Sequence, residues 1–546
     1  MIPDPSLEPS GLEVVELSWE RIQLTARVCP AGSREDAPAP ELFLRHLTEP
    51  APPLQGRPVH GGGAARGATV RFNPFAAADQ MPVRPGLWQL VAGGDGRESP
   101  WRAVPAAGGN VAPWRIREFP YGSSMIRFEV RPPERASDPL TVEITTWRQH
   151  VPGQRTWTLE AAFGRARRLK SAIRHGLFGW LVKMCRALPG GRRLVVFTSD
   201  SRATLGGNLA LIHERMVERG LDRKFDLRTI LRPSLRTRRA MIDRARLVWL
   251  LARARVVLLE DYQPAVYRLE PRTDRRIIQL WHAWGAFKTV GYSRIGKAGG
   301  LSPYARAHKN YTYAVVSSEH EVPFYAEAFG LPEERIVPTG TPRMDDFLDR
   351  KKQAQRRDAA YAALPLTRGR EVFLFAPTFR GSGARAADYP VEMLDLRRLH
   401  ALCSDRNAVA LVRLHPFVER RVEIAAAYRD HIVDATDVSI DTNDLLLISD
   451  LLVTDYSSLI FEYAALGGPM LFFAYDQDEY IATRDLYEPY ETFVPGRIVR
   501  TFDELVGAIR ARDYQHEKVE PFARRHLPSE PGSATDRIID QLILGR

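Results

Sequence analysis

An alternation of short apolar runs with amphipathic segments most constrains this chain; it starts at "RRLVVFTSD" (192–200) and runs to "TFDELVGAIRAR" (501–512). "RLVVFTS", "RVVLLED", "RIIQLWHAWG", "AVVSS" and "RIVPTG" form a first series. "EVFLFAPTFRG", "AVALVRLHP", "HIVDAT", "DLLLISDLLVTDYSS" and "GPMLFFAYD" form a second. Short β-branched-rich runs separated by helical segments indicate parallel sheets. Two successive series predict two doubly wound domains, over 191–350 and 351–546, facing each other across a cleft. Ligands of such sheets bind outside the carboxyl ends of the strands, so polar residues at those ends are read together.

The first part of the chain has a different period. "LEVVELSWERIQLTARV", "ELFLRHL", "LWQLVA", "SMIRFEVR" and "LTVEITT" alternate apolar and polar residues with period two, between Gly/Pro/Ala-rich connectors. An all-β, sandwich-like accessory module over 1–155 is expected. A basic amphipathic linker follows over 156–190. In it Leu169, Ile173, Leu177, Trp180, Met184 and Leu188 fall on one helical stripe, and Arg165, Arg167, Arg168, Lys170, Arg174, Lys183 and Arg186 meet no acid after Glu160. That pattern suits an anionic membrane surface over 165–188, or a helix docked on a neighbouring domain with a solvated basic face.

The net charge of +11 favours anionic partners. Nucleic acid is not expected among them, because the basic residues are dispersed and the densest cluster lies on an apolar-striped helix rather than beside stacking aromatics. Cys29, Cys185 and Cys403 lack metal-ligand spacing and fit a reducing compartment. No secretory signal is read at the N-terminus and no run is long and apolar enough to span a bilayer, so a cytoplasmic protein is expected.

Five strand ends carry chemistry. "LWHAWGAFKTVGYS" places His282 after a buried strand, followed by Gly285 and Lys288. "FAPTFRG" supplies Thr378 and Arg380, and "LVRLHP" supplies Arg413 and His415. "VTDYSS" supplies Asp455, Ser457 and Ser458, with Glu462 on the next helix. "VPTGTPRMDDF" adds Gly340 and Arg343 near the join of the two domains. Taken singly, each has a bland explanation: a structural histidine, an ion-pair arginine, a helix N-cap. Their shared direction, at the carboxyl ends of parallel strands, points to one cleft. The set suits phosphate. Ser457 and Ser458 open a helix whose N–H groups attract anions, and Arg380 and Arg413 offer planar charged forks. Asp455 and Glu462 suit sugar hydroxyls or the positioning of donors. Two histidines, one per domain, can divide proton removal from stabilisation of a departing phosphate. A GxxxxGK[ST] loop and a GxGxxG fingerprint are both absent, and "DTND" (441–444) reads as a cap and turn rather than a metal site.

In order, "LWHAWGAFK", "VVSS", "GTPRMDDF", "FLFAPTFRG", "VRLHP", "ISDLLVTDYSSLIFEYAALGGPMLFF" and "PGRIV" resemble the motifs of the CDP-glycerol glycerophosphotransferase family of teichoic-acid-type synthesis, from about 190 to 520. The resemblance implies a GT-B-like pair of Rossmann-type domains, peripheral attachment to the cytoplasmic face of the membrane, and metal-independent transfer of a polyol phosphate from CDP-glycerol or CDP-ribitol. The acceptor would be a hydroxyl of a lipid-linked or glycan polymer, CMP would leave, and no cofactor beyond the donor would be needed. His282 would be the base and His415 the second essential histidine, contacting the phosphates. Thr378, Arg380, Arg413, Ser457, Ser458 and Glu462 would hold the CDP-polyol, and Gly285, Lys288 and Asp455 are counted with this substrate-binding set. The chain departs from the family's commonest pattern beside the base, where Ala283, Trp284 and Gly285 follow His282. The alternative is a GT-B glycosyltransferase of cell-envelope polysaccharide synthesis that uses a nucleotide sugar in the same cleft.

Overall fold

The computed structural model describes residues 10–30, 41–49, 51–59, 67–77, 81–93, 101–107, 112–131, 138–148, 179–180, 182–185, 191, 193–234, 237, 239–270, 272–381, 386–528 and 532–546. Two compact units emerge: Met1–Gly179 with Thr289–Asn310 and Tyr325–Glu333, and Trp180–Lys288 with Tyr311–Phe324 and Glu334–Arg546.

In the first unit, strands β1 to β11 lie between Leu12 and Arg148 and form two antiparallel sheets, one of four strands and one of seven. Period-two alternation sets the inner face: Leu24, Ala26 and Val28 are buried on the second strand, and Leu42 and Leu44 on the third. One apolar cluster draws on both sheets and also takes in Tyr292 and Ile295. These two residues place 289–310 in this unit, although the linear reading assigned that segment to the 191–350 domain. Of the 165–188 amphipathic stretch, only 179–180 and 182–185 are described; they are helical, with Trp180 and Met184 more than half exposed. The rest of that expected helix lies outside the described residues.

The second unit holds two six-stranded parallel sheets. The first comprises β12 (Leu194–Ser199), β13 (Asp226–Leu231), β14 (Val256–Leu259), β15 (Arg276–Gln279), β16 (Tyr313–Val315) and β17 (Ile336–Val337), in the order β13-β12-β14-β15-β16-β17. The second comprises β18 (Glu371–Phe375), β19 (Ala408–Val412), β20 (Ile432–Asp434), β21 (Leu451–Thr454), β22 (Met470–Phe473) and β23 (Arg497–Val499), in the order β20-β19-β18-β21-β22-β23. β12, β14, β19, β21 and β22 are buried along their whole length, as strands covered on both faces must be.

Strand order fixes where ligands can sit. It reverses between β12 and β14 in the first sheet and between β18 and β21 in the second, and a crevice opens at the carboxyl side of such a switch. Thr378 and Asp455 follow β18 and β21, whereas Ser199 ends β12 and Asp261 follows β14. Two segments tie the halves together. Trp284 and Phe287, downstream of β15, join the core of the second sheet, and Phe287 stacks on Phe493 with ring centroids 4.8 Å apart. In return Ile538, Ile539, Leu542 and Ile543, near the C-terminus, join the core of the first sheet.

Candidate active site

His282 follows β15 at the end of a strained turn. Trp281 has φ +51°, a left-handed conformation that costs a bulky residue of order 1–3 kcal/mol. Both sides of that residue are pinned. Its amide donates to Gln279 Oε1 at 3.0 Å, and its carbonyl accepts from Asn208 Nδ2 at 2.7 Å. Asn208 lies in the first turn of the helix Gly207–Glu218, and its Oδ1 also accepts the Arg343 amide at 2.9 Å. Glu260, at the end of β14, caps the same helix by accepting the Asn208 amide at 2.9 Å, and it pairs with Arg202 at 2.5 Å. The strain aims one side chain, His282.

His282 is exposed by surface area, yet the protein packed around its ring partly desolvates it, which lowers its pKa below the ordinary value. Its Nδ1 lies 3.3 Å from the Glu260 carbonyl oxygen. A carbonyl only accepts, so Nδ1 carries the hydrogen and Nε2 keeps a free lone pair. His415 has the opposite arrangement. The Phe417 amide donates to His415 Nδ1 at 3.1 Å, which leaves the hydrogen on Nε2. Phe379 and Phe417 flank its ring, at centroid distances of 4.8 and 4.6 Å. Burial, and then the Lys288 charge, hold the His415 pKa below its usual value. One imidazole is built to take a proton and the other to donate a hydrogen bond.

The cations expected to seat phosphate are distributed differently from the sequence expectation. Arg380 donates from Nε and Nη2 to Asp476, at 2.5 and 2.9 Å, and from Nη1 to Asp455 at 2.9 Å. Arg413 donates to the carbonyls of Ala435, Thr436, Val438 and Ile440 and so shapes the loop before the helix Thr442–Leu446, which Asp441 caps. Both guanidiniums are therefore committed within the fold, because carboxylates and carbonyls brought close by the topology satisfy them. Asp455 is likewise structural: buried, it accepts from the amides of Thr378 and Tyr456 as well as from Arg380. Gly285 is a packing residue, since a Cβ there would lie 2.1 Å from the Phe461 ring.

Lys288 is placed differently from the two arginines. Its Nζ lies 5.4 Å from the Tyr480 ring centroid, the residue is half-buried, and among the described residues Nζ has no ion-pair or hydrogen-bond partner. Burial lowers its pKa to about 8, Asp455 opposes this, and Arg484 and Arg380 add to it. Thr378 Oγ1 is buried without a partner among the described residues. Ser457 Oγ accepts the Leu459 amide at 3.3 Å, and Ser458 is exposed at the start of the helix Leu459–Ala465. Glu462, on that helix, is buried with Oε2 unpartnered; burial raises its pKa to about 7, against its own amide and the charge of Arg343. Arg343, half-buried, acts electrostatically on both Glu462 and His282, and no side-chain partner holds it among the described residues. Arg343 was noted in the sequence only for its place near the domain join; Asn208, Glu260 and Asp261 carried no signal beyond lying at element ends.

Two clusters among the described residues bring three metal-capable ligand atoms within 4.8 Å: His320, Glu488 and His526, and His400, Asp430 and His431. In each, an arginine already serves a member: Arg525 donates to Glu488 and Arg370 contacts His431. No helix of the described residues is long and apolar enough to cross a membrane.

Comparison with known proteins places this geometry. Residues 180–544 match the model of the family described as CDP-Glycerol:Poly(glycerophosphate) glycerophosphotransferase. The chain is 46% identical over 348 residues to the teichoic acid ribitol-phosphate polymerase TarL of Staphylococcus aureus, covering 64% of this chain and 62% of that one. It is 34% identical over 378 residues to the teichoic acid ribitol-phosphate primase of Bacillus spizizenii, covering 67% of this chain and 95% of that one. The chain thus spans less than two thirds of TarL and nearly all of the primase. Among solved structures, the wall teichoic acid polymerase TagF matches with a TM-score of 0.54 at 22% identity, over 69% of this chain and 97% of that one, a likeness of fold that agrees with the GT-B-like architecture.

Proposed function

The chain belongs to the CDP-Glycerol:Poly(glycerophosphate) glycerophosphotransferase family, and on that premise we propose that it transfers a polyol phosphate from a CDP-polyol to a hydroxyl of a teichoic-acid-type polymer. The observation that carries this reading is that the two imidazoles carry opposite tautomers: His282 has a free Nε2 lone pair and His415 an Nε2–H. In the first step His282 removes the acceptor hydroxyl proton. The oxygen attacks the phosphorus that bears the polyol, the bond from that phosphorus to the oxygen bridging it to CMP breaks, and CMP leaves with that oxygen. His415 Nε2–H and the Lys288 ammonium stabilise the charge that grows on the departing phosphate. Charge is supplied by these side chains and by Arg343, so the reading requires no metal ion.

Ribitol phosphate is the favoured unit. Relatives named for ribitol phosphate are 34–46% identical to this chain and those named for glycerol phosphate 27–29%. Attachment to an anionic membrane surface through the exposed Trp180 and Met184 and the basic residues around them would bring the protein to a lipid-linked acceptor.

Incubation with CDP-ribitol, CDP-glycerol and a panel of UDP- and GDP-sugars, each with a lipid-linked polyol-phosphate acceptor, tests the reading. CMP release that depends on the acceptor is expected. Release of UDP or GDP without CMP would replace it with sugar transfer.

A further inference from the structure

The crevice at the switch point of the first sheet holds a carboxylate unlike its neighbours. Asp200 is neutralised by Arg232 and Arg239, and Glu260 by Arg202. Asp261 pairs with no cation among the described residues. Its Oδ2 accepts from the hydroxyls of Ser199 and Ser201, themselves 3.2 Å apart, and its Oδ1 is buried without a partner among the described residues. Asp261 is half-buried, yet one of its oxygens is shut off from water with no cation beside it among the described residues; such an arrangement is costly, and a fold that keeps it needs a reason.

The surroundings of Asp261 supply that reason. His282 donates to the carbonyl of Glu260, the residue immediately before Asp261. The Gln279 side chain accepts the Trp281 amide and donates to the Asp261 carbonyl at 3.2 Å, so the residues after β14 and β15 are laced together. Of the charges that act most on His282, Asp261 favours the protonated ring, whereas Arg343 and Arg202 oppose it. Arg202 is already paired with Glu260. We infer that Asp261 is a positioning residue for proton transfer: its unneutralised carboxylate, steadied by Ser199 and Ser201, stabilises the imidazolium that His282 becomes on taking the acceptor proton.

The inference rests on His282 acting as the base. In the step, the proton leaves the acceptor oxygen for His282 Nε2, the oxygen–phosphorus bond forms as the bond to CMP breaks, and the proton later passes to solvent. Asp261 lowers the energy of the imidazolium.

The first test needs no turnover. Histidine ring resonances are titrated by NMR in the wild type and in Asp261→Asn, with His282 assigned by its loss in His282→Gln. The His282 pKa is expected to fall by about half a unit to one unit in Asp261→Asn and to stay near wild type in Ser201→Ala, which keeps the charge. An unmoved pKa in Asp261→Asn would overturn the inference. The second test is the pH profile of CMP release: the acid limb moves to lower pH and the plateau falls about 10-fold or more in Asp261→Asn, with partial return in Asp261→Glu. A reduced plateau with an unshifted limb would mark a purely structural role. Absence of CMP release by the wild type would instead remove the proposed reaction and leave the NMR result standing. Should Asp261→Asn fail to fold, Asp261→Ser removes the same charge. A lowered His282 pKa in that variant supports the inference, and an unmoved one refutes it.

Discussion

The Phe417 amide donates to His415 Nδ1 at 3.1 Å and thereby decides which nitrogen of that ring can face a substrate. Glutamine carries an amide NH2 near the position of Nε2, whereas asparagine reaches only that of Nδ1. His415→Gln should therefore keep more CMP release than His415→Asn, the latter falling about 100- to 1,000-fold. At His282 a basic nitrogen is needed, so neither amide rescues it and both variants fall about 100- to 10,000-fold. Steady-state rates of the four variants check this; equal activity of the two His415 variants would refute the tautomer assignment.

Arg380 is a fold residue despite its place at a strand end. Removing it as Arg380→Met leaves Asp455 and Asp476 without their cation, with Asp455 almost fully buried. A loss of about 3–5 kcal/mol is expected. Urea denaturation measures it, and a variant of wild-type stability with weakened donor binding would return Arg380 to the phosphate seat.

Lys288 should show the reverse balance. Its pKa is lowered to about 8 in the fold, against 10.5 for the ordinary side chain. Between those values the unfolded chain binds more protons than the native one, so stability rises with pH over about 8 to 10.5. Lys288→Met should abolish that rise while raising the donor KM about 10- to 100-fold. In the wild type, kcat/KM for the donor should fall as pH passes about 8 and the ammonium discharges. Lys288→Arg keeps its charge and should lose that alkaline limb. An unchanged limb would show that another group titrates.

Glu462 titrates in the opposite sense. Burial raises its pKa to about 7 from 4.5, so the native state holds a proton that the unfolded state releases, and stability falls as pH rises from about 4.5 to 7. Glu462→Gln should flatten that part of the curve. Thermal unfolding across the range gives the answer, and parallel curves for the two proteins would contradict the assigned burial.

Much of this was legible in the sequence because parallel strands covered on both faces are written as unbroken apolar runs; β14, β19 and β21 stand out in this way. β13 was not separated as a strand, since as an edge strand it is half exposed and reads as "DLRTIL". The site divides on similar lines. Direction at strand ends puts His282, Lys288, His415 and Glu462 forward as candidates, because a strand end is a local feature. Whether a charge is free is not local. Arg380 and Asp476 lie 96 positions apart, and only the crossover from β18 to β22 brings them together. The 289–310 segment escaped for the same reason, because its core partners lie in the first 150 residues.

The central claim is that an intact polyol phosphate moves from the CDP-polyol to the acceptor and that the two imidazoles drive it. Mass spectrometry of a defined lipid-linked acceptor, after incubation with CDP-ribitol bearing 18O on the phosphate next to ribitol, tests this most directly. The account predicts that the acceptor gains the mass of a labelled ribitol phosphate with the wild type and gains none with His282→Gln. An acceptor that gains ribitol without the labelled phosphate, or that is extended equally well by His282→Gln, would contradict it.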